Sequence, residues 1–255
     1  MTFGKSYEQS VPDDDQFRSE REKWRIDLGA DSSLRKQAID LVVESNKYRY
    51  GYQWEWCGVP IIRHPDDIVL QQEIMFKLRP VRVIETGIAR GGSLALSASL
   101  MEISNTAPKV LGIDIQILPH AYHALKSWID EGSIEVLEGD STSAESVRFV
   151  KKFLENVSQP CLLILDSNHS HDHVYQELHN LAPLLPKGST VIVADTIVEE
   201  MPENYYDNRP WSKGNNPYSA TQKFLEENDS FEMDIRWSRR SLTGECRDGI
   251  LIKAK

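Results

Sequence analysis

The sequence predicts an α/β protein whose mostly parallel sheet is covered by helices on both faces. Three observations predict it. Short apolar runs at 81–85, 110–115, 134–137, 161–165 and 190–194 alternate with stretches of helical length. Two further apolar runs, at 231–237 and 249–253, lie close enough to pair as antiparallel strands. The 255 residues are 40% hydrophobic and 27% charged, so the chain can bury a full core and is neither disordered nor fibrous.

The first thirty residues are polar with isolated aromatics and read as a mobile or partner-docking arm without chemistry of its own. From 33 to 48 the positions Leu34, Ala38, Ile39, Leu41, Val42 and Val43 fall near a helical period. The string YRYGYQWEW follows at 48–56 and holds three of the nine Tyr and two of the six Trp. Packing is its first reading, and a flap over a ligand its second. Residues 1–60 are therefore expected to form an arm, a helix and an aromatic flap, with the main domain over 61–255. Pro65, Asp66 and Asp67 open a helix to about Arg79, because proline suits the first turn and acids suit the positive helix end. Helices are then expected at 92–103, 120–130, 144–156 and 171–185, between the five apolar strands. A long loop at 197–217 carries Pro202, Pro210, Gly214 and Pro217 and reads as a functional lid. A helix at 218–227 and the terminal hairpin follow. Five parallel strands, a helix and an antiparallel hairpin is the chain order of the Rossmann-like class I methyltransferase sheet, with seven strands.

Charge narrows the partners. A formal net charge of −10 and a pI near 5.2 have the wrong sign for wrapping a phosphate backbone, so no nucleic acid is expected. No apolar run approaches the roughly 20 residues that span a bilayer, and the N-terminal MTFGKSYEQS lacks a signal-peptide core. Three widely spaced cysteines, Cys57, Cys161 and Cys246, fit a reduced, cytoplasmic setting. The aromatic-rich N-terminal segment makes a homo-oligomer the expectation.

In an open doubly wound sheet, ligands bind beyond the carboxyl ends of the strands. The first strand is followed by ETGIARGGS at 85–93, where glycines let the backbone approach a ligand and the next helix offers unpaired N–H groups. Its spacing, Gly87 then Gly91 and Gly92, is not that of a dinucleotide turn. Glu85 before it repels a pyrophosphate and suits the sulfonium and ammonium of S-adenosylmethionine. Asp114 ends the second strand, where a carboxylate accepts both ribose hydroxyls, and Asp140, followed by Ser141, stands after the third to meet an adenine edge. Any one of these reads as a solvated loop acid. Three in register, with the glycine turn, point to a nucleoside-type cofactor.

Beyond the fourth strand lies LDSNHSHDH at 165–173, the densest polar cluster in the chain. Asp166 and Asp195, each at a strand terminus, suit a hard divalent cation such as Mg²⁺; the alternative is helix capping by Asp166 or Asn168. HSHDH falls one residue short of a zinc-hydrolase spacing and has no completing histidines downstream. His169 is better read as a general base, with packing at the helix start as its alternative. His171 and His173 are expected to orient the turn.

QW at 53–54, GVPII at 58–62, IETGIA at 84–89, GGS at 91–93, GIDI at 112–115 and LDSNHSHDHV at 165–174 resemble the cephalosporin hydroxylase family. So do APL at 182–184, DT at 195–196, RPW at 209–211 and NP at 216–217, and the similarity covers about 50–255. Despite its name, that family has the S-adenosylmethionine-dependent methyltransferase fold. The resemblance implies Mg²⁺ held by acids after the fourth and fifth strands, here Asp166 and Asp195. It also implies an adjacent acidic pair after the fifth strand, where this chain has Ala194 before Asp195. The expected activity is S-adenosylmethionine-dependent, Mg²⁺-assisted O-methyl transfer to a small hydroxylated acceptor, a sugar or natural product. Glu85, Gly87, Gly91, Ser93, Asp114, Asp140 and Ser141 would hold the cofactor, and His169 would take the proton. The rivals are an iron hydroxylase drawing on His169, His171 and Asp166, and a non-catalytic Rossmann-like subunit.

Overall fold

The computed structural model describes residues 15–203, 205–206, 208–238 and 240–255. The chain runs α1 (Asp15–Ala30), α2 (Ser32–Ser45), β1 (Trp54–Trp56), β2 (Val59–Ile61), α3 (Pro65–Leu78), β3 (Val83–Thr86), α4 (Gly92–Ile103), β4 (Val110–Asp114) and α5 (Pro119–Asp130). It continues with β5 (Ile134–Glu138), α6 (Ala144–Phe153), β6 (Leu162–Leu165), α7 (His171–Leu181), β7 (Thr190–Val193), α8 (Pro217–Glu227), β8 (Phe231–Met233), α9 (Ile235–Ser238) and β9 (Ile250–Lys253). Seven strands form one sheet in the order β5-β4-β3-β6-β7-β9-β8. The pairs β3–β4, β4–β5, β3–β6 and β6–β7 are parallel, and β9 runs antiparallel between β7 and β8. This is the expected α/β class I methyltransferase sheet with its C-terminal antiparallel hairpin.

Alternate residues of the central strands feed two cores. Val83, Val110 and Leu162 face the layer of α3, α4 and α5; Ile84, Leu111 and Leu163 face that of α6, α7 and α8. Burial on both faces explains why these strands read as unbroken apolar runs. Each fully buried Leu or Ile there stabilises by about 1.5–3 kcal/mol.

Four expectations are corrected. Residues 15–30 form a helix that buries none of its residues, with Phe17 edge-on to Trp24 at 6.1 Å, where an arm was expected; residues 1–14 of that arm lie outside the described residues. The strand expected over 231–237 stops at Met233, because Asp234 accepts from the Arg236 N–H at 3.2 Å and starts a helical turn. The helix expected to 185 ends at Leu181, with Pro183 leaving only a 3₁₀ turn over Ala182–Leu184. The expected boundary at 60/61 falls inside β2, and α2 packs Ile39 and Val42 on Ile197 and Met201 of the main body.

The second half of the aromatic stretch packs, while Tyr48 and Tyr52 stay exposed. Trp54 and Trp56 lie on the core, Trp56 Nε1 donates to Ser99 Oγ at 2.7 Å, and Tyr50 stands edge-on to Trp54. The β1–β2 hairpin sits so close on the start of α4 that a Cβ at Gly92 would lie 2.4 Å from Pro60 O.

Candidate active site

The strand order reverses between β3 and β6, and a cavity of about 460 Å³ opens beyond the strand ends at that point. Its wall includes Gly87, Asp114, Asp140, Ser141, Asp166 and Trp211, with Ser167 and His173 beside them. Of the expected cofactor residues the structure thus brings Gly87, Asp114, Asp140 and Ser141 together. Glu85, Gly91 and Ser93 lie off the lining. Gly87 has φ +90°, and a Cβ on it would lie 1.9 Å from Asp166 O, so glycine is required there by the neighbouring strand end as well as by the cavity. A Cβ on Gly91 would meet the Leu125 side chain at 3.0 Å, so that glycine answers to the packing of α5.

At the β4–β5 end the acids are fixed by backbone. Asp114 Oδ2 accepts from the Ile88 and Ala89 N–H groups at 2.7 and 3.3 Å, pinning the glycine turn, and Oδ1 accepts from Gln116. Asp140 Oδ1 accepts from the Thr142 N–H and hydroxyl at 2.8 and 2.7 Å, which holds its carboxyl below the usual range.

Toward the β6–β7 end, Glu85 of β3 and Asp166 after β6 are fixed by a buried cation. Arg63, 3% exposed, reaches Asp166 Oδ2 at 3.1 Å and Glu85 Oε1 at 3.4 Å with Nη2, while Nη1 donates to Gln71 Oε1 at 2.6 Å. Gln71 in turn donates to Ser97 Oγ. Burial pushes Glu85 up to about 7 against the pull of Arg63. The expected role of Glu85 as counter-charge to a sulfonium is therefore corrected: its charge is met by Arg63, inside the protein. Burial likewise raises Asp166 to about 6, with Arg63 opposing and Asp195 adding to the rise.

Asp166, His169 and Asp195 each offer a ligand atom, all within 4.8 Å of one another. His169 Nε2 lies 3.4 Å from Asp195 Oδ2, and its ring meets Trp211 edge-on at 4.8 Å. Asp195 is held at φ 56°, left-handed backbone that an aspartate tolerates at a cost, and its hydrogen-bonded surroundings keep it there. Two carboxylates and one imidazole are a donor set for a hard divalent ion. Helix capping by Asp166 or Asn168 does not form: α7 begins at His171, its N-cap Ser170 makes no side-chain cap, and Asn168 Oδ1 accepts from the Ser170 N–H ahead of the helix. His171 turns away to Ser219 Oγ at 2.9 Å and stacks on Tyr175, so the three histidines share no metal and the two-histidine iron set does not form.

Sequence reasoning missed Arg63, Gln71, Ser167 and the position of Trp211. Ser167, inside LDSNHSHDHV, and Trp211, inside RPW, carried a local signal; Arg63 and Gln71 did not. The lid segment is tied down by Glu199, whose Oε2 accepts from Gly214 N–H and Asn216 Nδ2 at 2.9 and 2.7 Å.

Residues 48–254 match the family model described as Rhamnosyl O-methyltransferase/CmcI. The rhamnosyl O-methyltransferase of Mycobacterium leprae (strain TN) is 27% identical over 215 residues, 82% of this chain and 89% of that protein. That of Mycobacterium tuberculosis (strain ATCC 25618 / H37Rv) is 29% identical over 164 residues, 62% of this chain and 65% of its own length. Among solved structures, apo CmcI-N160 matches with TM-score 0.56 and 20% identity over 80% of this chain and 77% of that one. CmcI-D160 with Mg and SAM matches with TM-score 0.54 and 21% identity over 80% and 78%. These structures share the fold. With the family model spanning 207 of 255 residues by its bounds, the chain belongs to the rhamnosyl O-methyltransferase/CmcI family.

Proposed function

We propose that this protein is an S-adenosylmethionine-dependent, Mg²⁺-assisted O-methyltransferase acting on a hydroxyl of a small molecule. The observation that carries the reading is the convergence of His169 and Asp195 on Asp166, which lines a cavity together with Asp114, Asp140 and two serines. The cavity has the volume of a nucleoside site, and Asp114 stands where a ribose diol is held. Asp166 and Asp195 would hold the ion, with water in the place of the acid that Ala194 lacks, since the buried Thr196 hydroxyl is turned to the carbonyls of Glu245 and Arg247. Bound there, Mg²⁺ lowers the pKa of a hydroxyl, and S-adenosylmethionine supplies an electrophilic methyl carbon.

His169 accepts the acceptor hydroxyl proton at Nε2 as the oxygen bonds to the methyl carbon and the carbon–sulfur bond breaks. Asp195 Oδ2, 3.4 Å away, stabilises the imidazolium that results. Trp211 orients the ring of His169 and shields it from water. Most of the acceleration comes from holding two reactants together, which supplies roughly 7–11 kcal/mol. The acceptor is a sugar hydroxyl: relatives in the family are rhamnosyl O-methyltransferases, and a recess of about 550 Å³ begins three residues past Asp195. Val198, Tyr205, Tyr206, Arg209 and Lys213 line it, a mixture of aromatic faces and hydrogen-bond donors that suits a carbohydrate.

Transfer of labelled methyl from S-adenosylmethionine to rhamnosylated acceptors, with Mg²⁺ and after chelation, tests the reading. Wild type turns over and loses turnover with chelator. Asp195→Asn and His169→Ala each fall by about 10²–10⁴ in kcat while still binding S-adenosylhomocysteine. Metal-independent transfer, or a fully active His169→Ala, overturns the assigned roles.

A further inference from the structure

We propose that Glu177, buried on α7 beside the half-buried His173, sets the hydrogen-bonding direction of two serine hydroxyls at the nucleoside end of the cavity, making it select a 6-aminopurine over a 6-oxopurine. The proposal rests on the cofactor reading above and adds to it which residues decide the base. Ser141 follows β5 and Ser167 follows β6, and both line the cavity together with His173. Their hydroxyls share the same two partners. Ser141 Oγ donates to Glu177 Oε1 at 2.6 Å and Ser167 Oγ donates to the same oxygen at 2.8 Å. His173 Nε2 lies 3.1 Å from each Oγ and 3.4 Å from Glu177 Oε1. Spacing of four residues on α7 puts the imidazole and the carboxylate on one helix face.

A serine hydroxyl has one proton and two lone pairs. Both protons go to Glu177, so each oxygen meets His173 only as an acceptor. Nε2 therefore carries a hydrogen shared between the two serines. Burial disfavours the imidazolium, but the hydrogen bond and charge of Glu177, with Asp140, outweigh it and draw the His173 pKa upward, in keeping with a proton on Nε2. Glu177 is 0% exposed and its Oε2 has no partner among the described residues, so the two serine donors are what hold its charge. Neither serine can turn its proton to the cavity without stripping a donor from that carboxylate.

One lone pair is left on each serine oxygen and no proton on either. At this point the wall accepts hydrogen bonds and does not donate them. The 6-amino group of adenine offers two N–H donors to such a wall, whereas the 6-oxo group of hypoxanthine sets oxygen lone pairs against oxygen lone pairs. A site built to satisfy one polar group discriminates strongly against its opposite.

Calorimetric titration of the full chain with S-adenosylhomocysteine and with its 6-oxo counterpart, S-inosylhomocysteine, tests this. Wild type prefers the amino compound by about tenfold to a hundredfold. Glu177→Gln brings the two affinities to within about threefold, because its amide donates to the serines and frees their protons to face the cavity. His173→Leu, which removes the ring donor and leaves both serine protons on Glu177, retains the preference. A merely structural pair would weaken both ligands by the same factor. If Glu177→Gln does not fold, Ser141→Ala combined with Ser167→Ala decides: it removes the accepting wall and brings the two affinities together. Equal binding of both compounds to wild type overturns the selectivity while the cofactor reading stands. An unchanged ratio in Glu177→Gln, or in the double serine variant where that one does not fold, overturns the wiring, and binding of neither compound to wild type overturns the cofactor reading and this inference together.

Discussion

At the β4–β5 end of the cavity, Asp114 and Asp140 take their hydrogen bonds from backbone N–H groups of turns beside them in space; toward the β6–β7 end, Glu85 of β3 and Asp166 after β6 are met by the guanidinium of Arg63, which arrives from the hairpin side of the fold. Asp140 is exposed and held below the usual carboxylate range by Thr142, whereas burial pushes Glu85 to about 7 and Asp166 to about 6. The contrast separates two ways of presenting a carboxylate. A wet acid needs only a local turn to point it, because water carries its solvation. A dry acid next to reacting groups needs a counter-charge, and that counter-charge has to come through tertiary packing.

Removing the cation is the strongest way to break the comparison. Arg63→Leu leaves Glu85 and Asp166 without their buried partner and destabilises the protein by about 3–5 kcal/mol, read as a drop in the denaturant midpoint at constant m-value. A loss below about 1 kcal/mol would mean that the β6–β7 end is as well solvated as the other. Arg63→Lys recovers only part of it, since one ammonium cannot reach Gln71, Glu85 and Asp166 in the forked geometry.

The second effect is a slope with pH. The Glu85 carboxyl sits at about 7 in the folded chain against 4.5 for its ordinary value, so the folded state holds an extra proton between these two values. The stability contributed by that proton is complete below 4.5 and is lost as pH rises through 7. Relative to Glu85→Gln, wild type therefore loses stability on the order of 3 kcal/mol across that window, measured by chemical unfolding at a series of pH values. Asp166 contributes a slope of the same sign in both proteins, and because it shares Arg63 and interacts with Glu85, the difference reads the two carboxylates together. A flat difference, or one that rises with pH, would show that Glu85 is ionised in the folded state.

The smallest effect belongs to the wet end. Asp140→Asn keeps an acceptor oxygen for the Thr142 N–H, and stability changes by less than about 0.5 kcal/mol. Affinity for S-adenosylhomocysteine falls by about tenfold, read by calorimetry. A large loss of stability instead would show that Asp140 is part of the scaffold and remove the distinction between the two ends.

The same distinction explains what could be read in advance. Helix α4 and the strands β3 to β7 were legible because a period of 3.6 or an unbroken apolar run is a property of neighbouring residues. Asp114, Asp140, Asp166 and Asp195 were legible for the same reason: each ends, or directly follows, an apolar run. The Asp166–His169 spacing was also visible, and only Asp195, 26 positions away from His169, had to be brought in by the sheet. Arg63 gave no signal. Nothing about an arginine before His64 and Pro65 distinguishes a buried guanidinium from a surface one, and its partner Asp166 lies 103 positions further on. The glycines were found but half explained, since Gly87 answers to the Asp166 backbone and Gly92 to Pro60 as much as to any ligand. The break after Met233 was missed because the turn at Asp234 outweighs the strand propensity of the residues that follow it.

By itself, the sequence determined the α/β alternation, the strand ends at which chemistry gathers and the residue types available there, since all of these are set by local periodicity and by side chains a few positions apart. The tertiary structure alone decided which of those acids are dry and which wet, which histidine faces Asp195 and which faces two serines, and where the balancing cation comes from. Solvation and charge compensation depend on atoms that are near in space and remote along the chain, and no local pattern encodes them.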